Sequence, residues 1–218
     1  MKFDISGNPD YGDLTVVLGP GESIQAEGGS MSRMSAHLAM KSRILGGFFQ
    51  GIVRKVFGGE SLFVGEYTAE DRPGYVSLSP SVPGCILHRE MQGDTFVLTG
   101  GAFLACTPGL EIKPKFGGIK ALFSGEKAFV LEVSGDGDLF YNGYGGVVEK
   151  QVDGEFIVDT GHVVAWEPSL TYTIGGMGGL KQTLFSGEGL VMRFQGQGSI
   201  WVQTRHMGAL AGWLRKYC

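Results

Sequence analysis

Val56-Phe57-Gly58-Gly59-Glu60, Leu122-Phe123-Ser124-Gly125-Glu126 and Leu184-Phe185-Ser186-Gly187-Glu188 are three copies of one short phrase. Their glutamates stand 66 and 62 residues apart in a chain of 218, and self-similarity at a near-fixed interval marks an architecture assembled from repeated units. The spacing predicts three tandem units over residues 1–80, 81–145 and 146–206, joined into a single body over 1–218.

The similarity extends to both sides of the phrase. Downstream, each copy meets an apolar run and then a second run led by glycine: Leu62-Phe63-Val64 and Gly74–Leu78, Phe129-Val130-Leu131 and Gly137–Tyr141, Leu190-Val191-Met192 and Gly198–Val202. Upstream stand a glycine turn and an apolar strand, at Gly28-Gly29-Ser30-Met31, Gly100-Gly101-Ala102-Phe103 and Thr160-Gly161-His162-Val163. Between turn and phrase lie alternating stretches, Met34–Met40, Leu110–Lys113 and Leu170–Ile174, and strict alternation is the period of a half-buried strand. Glycine pairs followed by short basic and apolar stretches, which include Arg54, Lys120 and Lys181, are too short for independent helices and read as chain reversals. Pro80, Pro83, Pro108 and Pro114 fall between the first and second copies of the phrase, where proline is confined to connections or strand edges.

Composition agrees with many short strands and tight turns. Glycine supplies 38 of 218 residues, more than twice the average usage of roughly 7%, while 43% of the chain is hydrophobic and patterned. Charged residues make up 18% with a net charge of −4; a sparsely charged surface points to coverage by other copies of the chain. The acidic balance argues against nucleic acid held through its phosphates. The N-terminal residues lack the apolar core of a secretory signal. Cys85, Cys106 and Cys218 have no metal-ligand spacing, which together point to a reducing cytoplasm. At the C-terminal end Met207, Leu210, Trp213, Leu214 and Tyr217 recur at intervals of three and four. They predict a short helix over 207–217, which either docks on its own chain or, through Leu210, Trp213, Leu214 and Tyr217, offers an interface to another. It is short for a membrane-surface anchor.

The three phrases, Gly28-Gly29-Ser30-Met31 and the glycine-rich Gly175-Gly176-Met177-Gly178-Gly179 together resemble the altered-inheritance-of-mitochondria type family. The resemblance covers residues 1 to about 206. It implies an all-β chain of three tandem modules, each a short variant of the double-stranded β-helix similar to the tryptophan RNA-binding attenuation protein. It also implies edge-to-edge assembly into a closed homo-oligomeric ring, with a trimer favoured.

Residues with chemical potential are few. Glu60, Glu126 and Glu188, beside Gly59, Gly125 and Gly187, could serve acid–base work, but a catalytic group is needed once per site and these occur in every unit. They read as carboxylates that accept backbone N–H groups at a glycine turn. His37, His88, His162 and His206 form no His-x-His pair for a cupin-type metal. Asp159 and His162 make the nearest acid–imidazole pair, read as a hydrogen-bonded turn. Asp136-Gly137-Asp138 lacks the remaining ligands of a calcium loop and reads as a hairpin turn. No Gly-Lys-[Ser/Thr] follows the glycine-rich stretches. Arg54, Lys120 and Lys181 approach a basic rim for RNA, without aromatics in register. No catalytic, cofactor or metal residue is assigned.

The expectation is therefore a non-enzymatic oligomeric binding or scaffolding protein whose partner is itself, with an unidentified protein or small ligand as a further partner. The rival is a small-ligand binder or hydrolase with a site at a module or subunit boundary; RNA binding on a ring rim ranks behind it.

Overall fold

Alternation of buried and exposed side chains makes strands of most of the chain. In Leu110–Lys113 the leucine and isoleucine are buried and the glutamate and lysine exposed, which aims one face at a core and the other at water. The computed structural model describes residues 1–44, 63–116, 129–176 and 190–217. The three Gly-Glu phrases, and with them Gly59, Glu60, Gly125, Glu126, Gly187 and Glu188, lie outside the described residues, as do Arg54, Lys120 and Lys181.

The strands in chain order are β1 (Lys2–Ser6), β2 (Asp13–Leu18), β3 (Ser23–Glu27), β4 (Met31–Met34), β5 (Ala39–Ile44), β6 (Phe63–Thr68), β7 (Gly74–Leu78) and β8 (Gly84–Thr99). There follow β9 (Phe103–Cys106), β10 (Leu110–Phe116), β11 (Phe129–Tyr144), β12 (Val147–Asp159), β13 (Val163–Trp166), β14 (Thr171–Gly175) and β15 (Val191–Gln203). A single α-helix among the described residues, α1 (Met207–Leu214), comes last. The chain is predominantly β.

One antiparallel scheme orders the pairing in three consecutive stretches. In the second, β11 pairs with β8, β10 and β9; in the third, β15 pairs with β12, β14 and β13. In the first stretch the long strands are divided, so that β7 pairs with β2 and β4 while β6 pairs with β3 and β5. A register shift falls at the same place in each, between Met31 and Arg33, between Phe140 and Tyr141 opposite β9, and between Val163 and Ala165. β1 extends the first stretch by pairing with β2. Pro114 lies in β10, which among the described residues pairs only with β11, an edge position that tolerates its missing N–H.

A side-chain clasp holds each stretch together. Ser35 N donates to Tyr75 O while Tyr75 N donates to Ser35 Oγ, and Leu38 N closes a turn onto Ser35 O. Thr107, Asp138 and Leu110 repeat these bonds in the second stretch, and Glu167, Ser199 and Leu170 in the third. The clasp corrects the expectation of one strand over Met34–Met40. Ser35–Leu38 is a turn that separates β4 from β5, Leu38 is buried and Met40 is exposed. Polar side chains that bond the backbone of another strand interrupt a ladder in this way.

The same clasp accounts for Asp136-Gly137-Asp138, which is not a hairpin turn but lies inside the continuous β11, beside a bulge between Ser134 and Asp136. At Gly135, φ is +116°, and a Cβ there would meet Gly109 O at 2.4 Å. Gly196 does the same work in β15, with φ of +131° and Ser169 O 2.9 Å from where its Cβ would be. Only glycine lets the crossing turn come so near. Gly135→Ala is therefore expected to destabilise the fold by about 2–3 kcal/mol from backbone strain and the clash with a carbonyl. A denaturant melt within about 0.5 kcal/mol of the parent protein would contradict this account of the bulge.

Candidate functional site

The joints between stretches bring side chains of neighbouring stretches into shared cores. β9 lies between its own β11 and β3 of the stretch before, with Cys106 opposite Gln25 and Ala105 opposite Ala26. β13 lies likewise between β15 and β8, with Ala165 opposite Leu98 and Trp166 opposite Val97. Thr99 Oγ1 adds hydrogen bonds to the carbonyls of Val163 and Val164 across the second joint.

Each joint also completes a core. Leu14, Val16, Leu18, Ile24, Val76 and Leu78 of the first stretch pack with Ile86, Leu104, Ala105 and Phe140 of the second. Phe96, Leu98, Leu131 and Val133 of the second pack with Val164, Ala165 and Trp201 of the third. Val97 reaches forward into the core of the third stretch, beside Trp166, Phe194 and Ile200. Trp201 meets Phe96 edge-on at 4.9 Å between ring centres, a favoured aromatic geometry.

The first stretch differs on its outward side. The positions matching Ile86, Leu104, Ala105 and Phe140 by strand register hold Asp13, Ser32, Arg33 and Ser77. Arg33 Nη2 meets Asp13 Oδ2 at 2.7 Å, Ser79 Oγ donates to Asp13 Oδ1, Ser32 Oγ to Ser77 O, and Ser77 Oγ shares a bond with Thr15 Oγ1. Sequence reading missed this contrast, because the matching positions become visible only once the ladders are paired.

The four histidines do not gather at one place: His162 and His206 meet edge-on at 4.8 Å between ring centres, whereas His37 Nε2 bonds Pro73 O and His88 lies against Asp138. His162 Nδ1 bonds Gln203 O at 2.7 Å, while Asp159 Oδ1 accepts from Gly161 N in the 3-10 turn Thr160–His162. Asp159 and His162 therefore serve a turn and not a shared proton. His88 Nε2 meets Asp138 Oδ1 at 2.7 Å, half-buried, with its ring against Phe3 and Phe140. Among the described residues no group of three or more His, Cys, Asp or Glu side chains could hold a metal ion.

Cys85 and Cys106 are free and buried. Burial pushes the Cys106 thiol up to about 12, raises that of Cys85 and lifts the Tyr141 phenol. Such thiols stay protonated and are poor nucleophiles.

The C-terminal helix ends at Leu214, short of the expected 217, with a turn from Leu214 O to Tyr217 N. No residue in it is buried; Leu210 is half-buried, Leu214 is exposed, and Trp213 and Tyr217 are 55% and 72% exposed. Among the described residues no helix is long and apolar enough to cross a membrane.

The family described as Mitochondrial biogenesis AIM24 matches residues 3–205. An uncharacterised protein of Streptococcus pyogenes serotype M6 is 31% identical over 226 residues, covering 100% of this chain and 91% of the relative. A crystal structure of a Streptococcus pyogenes protein superposes with a TM-score of 0.83 at 30% identity, covering 100% of this chain and 99% of that one.

The buried thiol has a measurable consequence. In the unfolded chain Cys106 ionises near its ordinary value of 9.0, and in the folded chain near 12. Its contribution to stability is thus intact below about pH 9 and lost as pH rises toward 12. Cys106→Ala is expected to flatten the fall of unfolding free energy between pH 8.5 and 11, leaving the shares due to Cys85, Tyr67, Tyr141 and Tyr172. Denaturant melts across that range that run parallel for both proteins would exclude the assignment.

Proposed function

Because the chain belongs to the Mitochondrial biogenesis AIM24 family, we propose that it is a non-enzymatic scaffold that assembles with itself into a closed ring, a trimer being favoured. Its stretches act in this reading as three tandem modules similar to the attenuation protein. The observation that carries the proposal is the way each stretch completes the core of the one before it. A unit that needs a neighbour leaves one unsatisfied side at each end of a linear array, and a closed ring removes both ends. The exposed Trp213, Leu214 and Tyr217 add a second apolar surface for a protein or small ligand.

The rival, a small-ligand or hydrolytic site at a boundary, draws on His88 and Asp138 beside Phe140 of the first joint. This pair is half-exposed rather than walled into a cleft, which places the rival second. RNA on the rim is disfavoured by the net charge of −4.

Light scattering of the purified, tag-free protein is expected to give one mass near three chains, with an absorbance ratio free of nucleic acid. A monomer at every concentration would remove the ring, and a mass near three chains that carries nucleic acid would instead favour the rim.

A further inference from the structure

Two strand edges in the chain are the two halves of a joint formed twice inside it. β9 and β13 each have two neighbours, their own long strand and the first long strand of the stretch before. β4, which takes the same place in the first stretch, pairs among the described residues only with β7. At the other end, β3 and β8 each receive a strand from the following stretch, whereas β12, among the described residues, pairs only with β15 and ends its sheet. The residues that would make the joint are identifiable from the ladders. Gln25 and Ala26 in β3, and Val97 and Leu98 in β8, correspond to Ile157 and Val158 in β12. Ala105 and Cys106, and Ala165 and Trp166, correspond to Arg33 and Met34 in β4.

Exposure marks the vacant half. Val97 is 6% exposed because the third stretch covers it, while Ile157 at the matching place is 41% exposed. An open antiparallel edge with an apolar side chain beside it invites another strand.

Resting on the self-assembly reading above, we infer that β4 of a second copy of this chain seats on β12, with Arg33 opposite Val158 and Met34 opposite Ile157. This seam is weaker than the internal joints. Those joints insert Ile86, Leu104, Ala105 and Phe140, or Val164, Ala165 and Trp201, into a core. The incoming copy offers Asp13, Ser32, Arg33 and Ser77, already bonded among themselves and to Thr15 and Ser79. The covalent chain holds the apolar joints together permanently, and the polar one is left to association. A polar outer face on a terminal repeat keeps the free chain soluble.

Three full-length variants test the seam by sedimentation equilibrium, with circular dichroism to establish that each is folded. Ile157→Asp is expected to weaken association by at least about tenfold, which corresponds to 1.4 kcal/mol. Asp13→Val with Arg33→Ala removes both members of the ion pair and gives the first stretch the apolar character of its neighbours; association is expected to tighten by about tenfold or more. Trp213→Ala with Tyr217→Ala is expected to leave the mass unchanged. An oligomer indifferent to the β4 and β12 variants, or dissociated only by the helix variant, would overturn the seam while leaving self-assembly standing. Loosening by the Asp13 and Arg33 substitutions would overturn it as well. A wild-type monomer at every concentration would remove both readings.

Discussion

A core that its own strands cannot close governs this molecule. Burial of apolar surface is the main favourable term in folding, and in the first stretch it is finished by Leu104, Ala105 and Phe140 from the second. Large aromatic truncations in such positions cost about 3–5 kcal/mol, a sizeable share of a typical domain's stability of about 5–15 kcal/mol. Neighbouring stretches are therefore bound by the same contacts that fold them. Side chains pass mainly backward along the chain, from the second stretch to the first and from the third to the second, with Val97 reaching the other way.

Within a stretch the clasp sets the geometry that makes such giving possible. Thr107 and Glu167 hold the backbone of β11 and β15 at Asp138 and Ser199, just beyond the glycine pair of each strand and, in β11, beyond its bulge. The first half of each long strand then faces its own edge strand, β10 or β14, and the second half faces the joint through β9 or β13. The bulge re-aims a continuous strand without breaking its pairing. In the first stretch the same division is made by separating β6 from β7, and Ser35 clasps Tyr75 at the corresponding place.

Much of this was legible from local pattern. Alternation in Leu110–Lys113 and Leu170–Ile174 reports real faces, because each residue there answers to one neighbour across one ladder. The helix was legible from spacing, though its end was not, since beyond Leu214 the exposed Tyr217 has no core to hold it. Alternation failed at Met34–Met40, where the hydroxyl of Ser35 bonds a strand 40 residues away. The hairpin reading failed at Asp136-Gly137-Asp138, where a turn composition lies inside a strand beside a bulge. The joints were out of reach for a stronger reason. Ala26 opposite Ala105, and Leu98 opposite Ala165, are small or ordinary residues whose meaning lies in long-range pairing.

The backward reach of the second and third stretches separates the repeat visible in the sequence from the piece that could be excised. A fragment cut at residue 80 would leave the second stretch with Ile86, Leu104 and Phe140 facing water, and the first with its hydrophobic interior open. Cleavage by a protease at that point, or cloning at that boundary, would produce two sticky halves rather than a small domain and a larger one. Natural insertions and fusions are thus best accommodated at the chain's outer ends and least at the apparent module borders.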